Sequence, residues 1–291
     1  MANLKEIRSR IKSVKSIQKV TKAMKMVAAA KLRKSQENME RARPYADRLN
    51  NLISDLVDEN NMFTLELLKP RKVVTNIGFI IVTADRGLAG SFNTNIIKKA
   101  EQEIKKYNKE NIKIFCIGKK GYEYFSKQGY TIEKYYVDFW NNLTFSIASE
   151  ISNDIMTSFL NNSIDKAQVI YNYFKNVATQ QVQYETFLPI QPIPASKSTN
   201  ENMGYADILY EPSEKELLAL LIPKHLNTQV WKYLLESFAS EQGSRMIAME
   251  NATENAGDMI SELTLEFNKA RQTAITTEML EIVGGAEALS N

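Results

Sequence analysis

The stretch best placed for chemistry is Thr83-Ala-Asp-Arg-Gly-Leu-Ala-Gly-Ser-Phe-Asn93, where an apolar run enters a glycine-containing loop ahead of an amphipathic segment. Phosphate groups bind at such strand–loop–helix junctions, because a helix N-terminus points its N–H groups at an anion. The loop carries neither GxGxxG nor GxxxxGK[ST], the patterns that cradle a dinucleotide or a nucleoside triphosphate. The favoured reading is therefore a tight turn in which Gly87 and Gly90 supply unusual φ values. A nucleotide-binding α/β enzyme using the Asp85–Gly90 loop is the alternative. Gly118-Lys-Lys-Gly121 is a second glycine pair of the same kind and fails the same pattern test.

Other reactive groups are scarce. The chain has one histidine and one cysteine in 291 residues, so a Ser-His-Asp triad, a two-histidine zinc site and an internal disulfide have nothing to build on. His225 follows Pro223 and reads as a partly exposed residue at a helix start. No catalytic residue, cofactor or metal is expected. The polar, basic opening MANLKEIRSR has no apolar core or cleavage site of a secretory signal. No apolar run approaches the ~20 residues needed to span a bilayer. These features predict a protein of a reducing, cytoplasmic compartment.

Two long helices frame the chain. Over 3–57, Leu4, Ile7, Ile11, Val14, Thr21, Ala28 and Leu32 repeat at three-four spacing and predict one apolar stripe, with Ile17, Met24 and Val27 on an adjoining one. Lys5, Arg8, Lys12, Lys15, Lys19 and Lys22 form a parallel basic stripe. Pro44 predicts a kink or a stop, after which Leu49, Leu52, Ile53 and Leu56 resume the pattern. Over 226–288, Met246, Met249, Thr253, Ala256, Ile260, Leu263, Phe267, Ala270 and Ala274 make a second seam, flanked by Glu250, Glu254, Asp258, Glu262 and Glu266. At 1.5 Å per residue this helix would reach roughly 90 Å. Pro223 suits its start, and a separate short helix over Ser213–Leu221 has Ser213 as its N-cap.

Net charge is +3, yet residues 1–50 alone carry +10, and residues 241–291 hold nine acids against three bases. Opposite charges flanking two apolar seams select partner and orientation in coiled coils. The two ends are therefore expected to wind around each other. The residues leave the direction open, and an antiparallel pairing is easier because the middle of the chain must close the loop. An internal acidic partner also weakens a nucleic-acid reading of the basic stripe, which lacks interleaved aromatics.

Between the arms the periodicity changes. Ile77–Thr83, Ile112–Ile117, Tyr130–Val137 and Gln168–Phe174 read as strands. They alternate with helices over 93–107, to about Ser126, and over Phe145–Leu160, and Gln181–Leu188 adds an edge strand. Alternation of this kind predicts a mostly parallel sheet with helices on its faces. The expected fold is α/β, a long coiled coil of N- and C-terminal helices with an inserted Rossmann-like domain. Its parts are an N-terminal helix over 1–57, an α/β domain over 70–200, and a short helix followed by the long C-terminal helix over 205–291. Residues 189–204 read as a loop. Ala28-Ala-Ala30 with Met24 and Met26 makes a small-residue patch, suited to close helix packing or to a low-friction surface.

Several stretches resemble F-type ATP synthase γ subunits. Ile275-Thr-Thr-Glu278-Met-Leu-Glu281-Ile-Val-Gly-Gly285-Ala286 is similar to the family's C-terminal signature. Ile7-Arg-Ser-Arg-Ile11 and Thr21-Lys-Ala-Met-Lys-Met-Val-Ala-Ala-Ala-Lys-Leu-Arg-Lys-Ser35 resemble its opening helix. Arg43-Pro44-Tyr45 and Asp85-Arg-Gly-Leu-Ala-Gly90 also fit, with Ala89 where many relatives have cysteine. The resemblance runs from Leu4 to Leu289. It implies a non-catalytic rotor shaft, an antiparallel coiled coil inside a ring of three α and three β subunits, with the middle domain against the ε subunit and the membrane c-ring. Proton flow turns the ring, and the asymmetric shaft drives the β sites through their nucleotide affinities. The resemblance further implies that Arg271, Gln272, Met24, Lys25, Glu278 and Glu281 meet the β subunits. Tyr205, Tyr210 and Glu211 would lie at the c-ring and ε foot. The chain would sit peripherally on the cytoplasmic face of a bacterial inner membrane.

Overall fold

The computed structural model describes residues 4–56, 65–177, 179–190 and 213–290. The elements are α1 (Leu4–Leu56), β1 (Ile77–Val82), α2 (Phe92–Ile104), β2 (Ile112–Ile117), α3 (Lys119–Lys127), β3 (Thr131–Tyr136), α4 (Phe145–Leu160), β4 (Lys166–Phe174), β5 (Gln180–Leu188) and α5 (Glu214–Ser290). Two compact units emerge, one of residues 1–28 with 245–291 and one of residues 29–244. Both α1 and α5 contribute to each unit.

In the second unit the sheet order is β3-β2-β1-β4-β5. β1 pairs parallel with β2 and β4, β2 parallel with β3, and β5 closes the far edge antiparallel to β4. β1 is buried along its whole length, as expected of a parallel strand covered on both faces. One face packs Phe79, Ile81, Ile114 and Cys116 against Phe92, Ile96, Ala100 and Ile104 of α2. The other packs Ile80, Val82, Phe115 and Val169 with Ile151, Ile155 and Phe159 of α4, with Leu49 and Ile53 of α1, and with Ile222, Leu226, Val230 and Leu234 of α5. Residues 233–237 and 239–244 of α5 are buried on every side, the pattern of a helix enclosed by its own domain.

β4 outruns β1, whose pairing with it ends at Ile170. The exposed backbone beyond is met by α5. Asn172 N–H donates to Ser237 Oγ at 3.3 Å, and Ser240 Oγ donates to Asn172 O at 3.3 Å. Ser237, Ser240 and Ser244 repeat at three-four spacing, and their small side chains let the helix approach the strand. Ser244 also bonds Gln180 of β5.

Three expectations need correction. The break read at Pro223 is absent, since α5 is one helix from Glu214 to Ser290 with Pro223 inside it. Proline leaves the carbonyl four residues back unbonded. Here that residue is Ala219, which is exposed, so its freed carbonyl is open to solvent. Pro44 is likewise inside α1 with Glu40 exposed, and the helix continues because Leu49, Ile53 and Leu56 behind it are buried. His225, read as a partly exposed terminal residue, is a buried mid-helix residue, and burial pushes its pKa down to about 4. Ser213 does act as an N-cap, accepting the Glu216 N–H at 3.3 Å. Residues 191–204 of the proposed loop lie outside the described residues.

Candidate functional site

The first unit is a pair of helices held along a heptad seam. On α1 the buried and half-buried positions include Leu4, Ile7, Ile11, Val14, Gln18, Thr21, Lys25 and Ala28 at steps of three and four, with Met24 and Ala29 half-buried beside them. On α5 they include Met249, Thr253, Ala256, Ile260, Leu263, Phe267, Ala270 and Ala274. This spacing keeps one stripe facing a partner helix. Gln18 Nε2 donates to Thr253 O at 3.4 Å, Thr21 Oγ1 and Thr253 Oγ1 lie 2.7 Å apart, and Lys25 Nζ donates to Glu250 Oε1 at 2.5 Å. Residue numbers rise on α1 as they fall on α5, so the helices run antiparallel. The direction that the residues alone left open is thereby fixed.

The flanking charges behave differently from the simple expectation. Lys25–Glu250 crosses the seam, but Arg8, Lys12, Lys15, Lys19 and Lys22 are exposed and make no ion pair among the described residues. The same holds for Glu254, Asp258, Glu262 and Glu266. These charges act through their summed field, as solvated charges do in high dielectric. The small-residue run is also divided by the helix turn: Ala28 is in the seam, whereas Met26, Val27 and Ala30 point outward. Ile17 is exposed as well, which leaves an outer apolar stripe beside the basic one.

The register also marks where pairing stops. Gln18 lies beside Thr253 and Gly257, and Lys25 beside Glu250. Leu4, the first described residue of α1, therefore lies across from Phe267–Arg271. From residue 275 onward α5 is exposed all round as far as its side chains are described, to residue 286. This end is apolar: Ile275, Met279, Leu280, Ile282 and Val283 stand in water, Ile282 with 72% of its surface exposed. Sequence reading missed them as a group because they sit off the seam on two adjoining stripes. A contiguous exposed apolar patch marks a binding surface.

The predicted site residues fall into three places. Arg271, Gln272, Glu278 and Glu281 are all exposed on α5 at or beyond the end of the paired seam, and Arg271 has no ion-pair partner among the described residues. Arg271 and Glu278 share a face, being seven residues apart. Met24 and Lys25 are half-buried in the seam, about 20 residues along α1 from that end, and Lys25 is engaged by Glu250. Tyr205, Tyr210 and Glu211 lie outside the described residues.

The glycine pair at the start of α3 is occupied by the protein itself. Each of the first three N–H groups of α3 has an acceptor on the β1–α2 connection. Lys119 N–H donates to Asp85 Oδ1 at 2.8 Å, Lys120 N–H to Ala84 O at 3.1 Å, and Gly121 N–H to Thr83 Oγ1 at 2.9 Å. Asp85 Oδ2 takes the Asp138 N–H at 2.8 Å. At the N-terminus of α3 a carboxylate thus stands where a phosphate would bind, and the first three donors there are used. Gly90 has the expected positive φ of 55°, but the other left-handed residue of the loop is Leu88 at 60°, not Gly87. At Gly118, φ is 97° and an added Cβ would lie 2.0 Å from Thr83 O, so this glycine serves close packing. Among the described residues no cluster of His, Cys, Asp and Glu could hold a metal, and no helix is long and apolar enough to cross a membrane.

Comparison with known proteins agrees with this geometry. Residues 3–289 match the family model described as ATP synthase. The ATP synthase gamma chain of Chloroherpeton thalassium is 47% identical over 300 residues, covering 99% of each chain. That of Cytophaga hutchinsonii is 45% identical over 296 residues, covering 100% of each. Among solved structures, the central stalk and c-ring assembly of Tetrahymena thermophila mitochondrial ATP synthase aligns with a TM-score of 0.61 at 25% identity. It covers 80% of this chain and 99% of that one. A chain of the Euglena gracilis OSCP/F1/c-ring assembly shares the fold, with a TM-score of 0.68 at 20% identity over 98% of this chain and 94% of that one. With an antiparallel helix pair ending in a bare apolar tip, and full-length similarity to gamma chains, the chain belongs to the ATP synthase gamma-chain family.

Proposed function

We propose that this chain is the central rotor shaft of an F-type ATP synthase, coupling proton-driven rotation of a membrane c-ring to the conformational cycle of catalytic β subunits. The observation that carries this reading is the antiparallel helix pair whose α5 end emerges without a partner helix and is apolar on its surface. A pair wound on a heptad seam resists twisting as one body, and a smooth apolar end turns inside a sleeve without specific bonds to break. The chain itself is non-catalytic: nucleotides bind on the α and β subunits, and the glycine pair at the start of α3 is already filled by the Asp85 carboxylate.

Arg271 and Gln272 are the residues that grip a loop of one β subunit. Arg271 is suited to this because its planar fork gives two parallel bonds to a carboxylate. Glu278 and Glu281 are polar contacts nearer the tip. Met24 and Lys25 face the lever segment of β, and the Lys25–Glu250 pair holds the lysine in place for it. Tyr205, Tyr210 and Glu211 belong to the foot that meets the ε subunit and the c-ring. The working division is an N-terminal arm over 1–57, the α/β insertion over 70–200 and a C-terminal arm over 205–291. The complex is attached to the bacterial inner membrane, with this chain on the cytoplasmic face.

The test is reconstitution of the complex with and without the chain. Vesicles lacking it are expected to leak protons without making ATP, while the β subunits still bind nucleotide, and the isolated chain is expected to bind no ATP in equilibrium dialysis. Proton-coupled synthesis in its absence, or micromolar ATP binding by the chain, would refute the reading.

A further inference from the structure

Glu236 of α5 is a buried carboxyl that the shaft role does not use, and its Oε2 has no hydrogen-bond partner. It lines a cavity of about 240 Å³ bounded by α1, β4 and α5, together with Arg43, Asp47, Tyr173, Trp231 and Lys232. An unpaired charge in such a place is costly, so the carboxyl either carries a proton or finds a cation. The cations are at hand: Arg43 and Lys232 line the same cavity, and neither is in an ion pair among the described residues. The groups facing Glu236 come from every element packed on it. α1 brings Arg43 and Asp47, α5 brings Lys232 and Tyr233, β4 brings Tyr171, and β5 brings Glu185. Glu185 is itself satisfied, accepting Tyr171 Oη at 3.1 Å and Tyr233 Oη at 3.3 Å. It therefore adds negative potential without offering Glu236 a proton. The charged residues lining the cavity are Arg43 and Lys232 against Asp47 and Glu236, so with Glu236 neutral the bases are in excess by one and its ionisation brings the lining to balance.

We propose that Glu236 is a proton-controlled latch on the packing of α1 and α5 against β4: neutral, it lies in the closed arrangement described here, and on giving its proton to solvent it draws Arg43 or Lys232 across the cavity and repacks the cavity wall. Burial pushes the Glu236 pKa up to about 7, with Lys232 lowering it, Glu185 raising it and Arg43 lowering it. The change therefore falls in the neutral range.

Trp231 reports on the cavity directly, and the chain has two tryptophans. In the full-length chain carrying Trp140→Phe, Trp231 emission is expected to follow a one-proton curve with a midpoint about 7. With Glu236→Gln added, the curve should be flat. An unchanged curve in the double variant, or none in the single one, overturns the proposal. If Trp140→Phe does not fold, wild-type chain with ¹³C-labelled glutamate decides by NMR. One glutamate carboxyl carbon titrating near neutrality, with Arg43 or Lys232 side-chain resonances moving at the same midpoint, supports the latch. All glutamates titrating in the ordinary carboxylate range, or Glu236 titrating with neither base responding, refutes it.

Discussion

Two buried groups about three turns apart on α5 should conceal each other's effect on stability, and removing either should reveal the other. The Glu236 pKa rises from 4.5 to about 7 and the His225 pKa falls from 6.5 to about 4, burial being the largest cause in each case. At 1.36 kcal/mol per decade of proton affinity, each is worth about 3 kcal/mol. The signs are opposite. For Glu236 the folded form holds a proton that the unfolded chain has lost, so its contribution is complete below pH 4.5 and declines until about pH 7. For His225 the unfolded chain takes a proton that the folded form refuses, so stability is complete above pH 6.5 and declines as pH falls to about 4. Between pH 4.5 and 6.5 the slopes cancel, and the wild-type chain should be nearly level with respect to this pair. Glu236→Gln should uncover the histidine, with stability rising about 3 kcal/mol from pH 4 to 6.5. His225→Asn should uncover the glutamate, with stability falling about 3 kcal/mol from pH 4.5 to 7. Urea unfolding of the full chain, followed by circular dichroism at intervals of half a pH unit, measures all three profiles. Variant profiles parallel to wild type would refute the reasoning.

Three further outcomes follow from the geometry. Arg271→Ala should reduce ATP synthesis by the assembled complex about tenfold, the equivalent of one charge-assisted hydrogen bond, while the exposed position leaves the isolated chain folded; wild-type synthesis and hydrolysis rates would remove Arg271 from the β contact. Leu263→Glu places a charge on a half-buried seam position and should cost about 1–3 kcal/mol of helix-pair stability, read as a lowered Tm, and an unchanged melting curve would displace Leu263 from the seam. Gly118→Ala forces a Cβ to within 2.0 Å of Thr83 O at a φ of 97° and should cost about 3 kcal/mol or more, measured as a lower urea midpoint; a neutral result would contradict the close approach of the α3 start to the β1–α2 connection.

The parts legible in the sequence are those governed by period. Phe145–Leu160 and Ile112–Ile117 have the bounds that their apolar patterns predict. The seam of α5 holds at Met249 through Ala274 because a three-four repeat admits one burial pattern. Misreadings arose where tertiary packing overrode a local rule. Pro223 looked like a start because the pattern around it does not show that Ala219 remains open to water. His225 reads as exposed for the same reason, since burial inside the domain is invisible in a helix pattern. Glu236 drew no notice because a helix enclosed on all sides has no polar face to set it apart. The charge asymmetry of the termini points to their pairing, but of the basic stripe Arg8, Lys12, Lys15, Lys19 and Lys22 make no ion pair among the described residues, and Lys25–Glu250 is the pair that crosses the seam, since long exposed side chains gain little by ordering. The left-handed conformation expected of Gly87 is adopted by Leu88, because the glycine position suggests where a turn tightens but not which residue turns left-handed.

Rotation of the chain within an assembled ring tests the central claim most directly. With a bead fixed to an exposed residue of the α/β domain and the β subunits anchored to glass, ATP should drive the bead in one direction, in three equal steps per turn. ATP hydrolysis at full rate with a motionless bead would contradict the account.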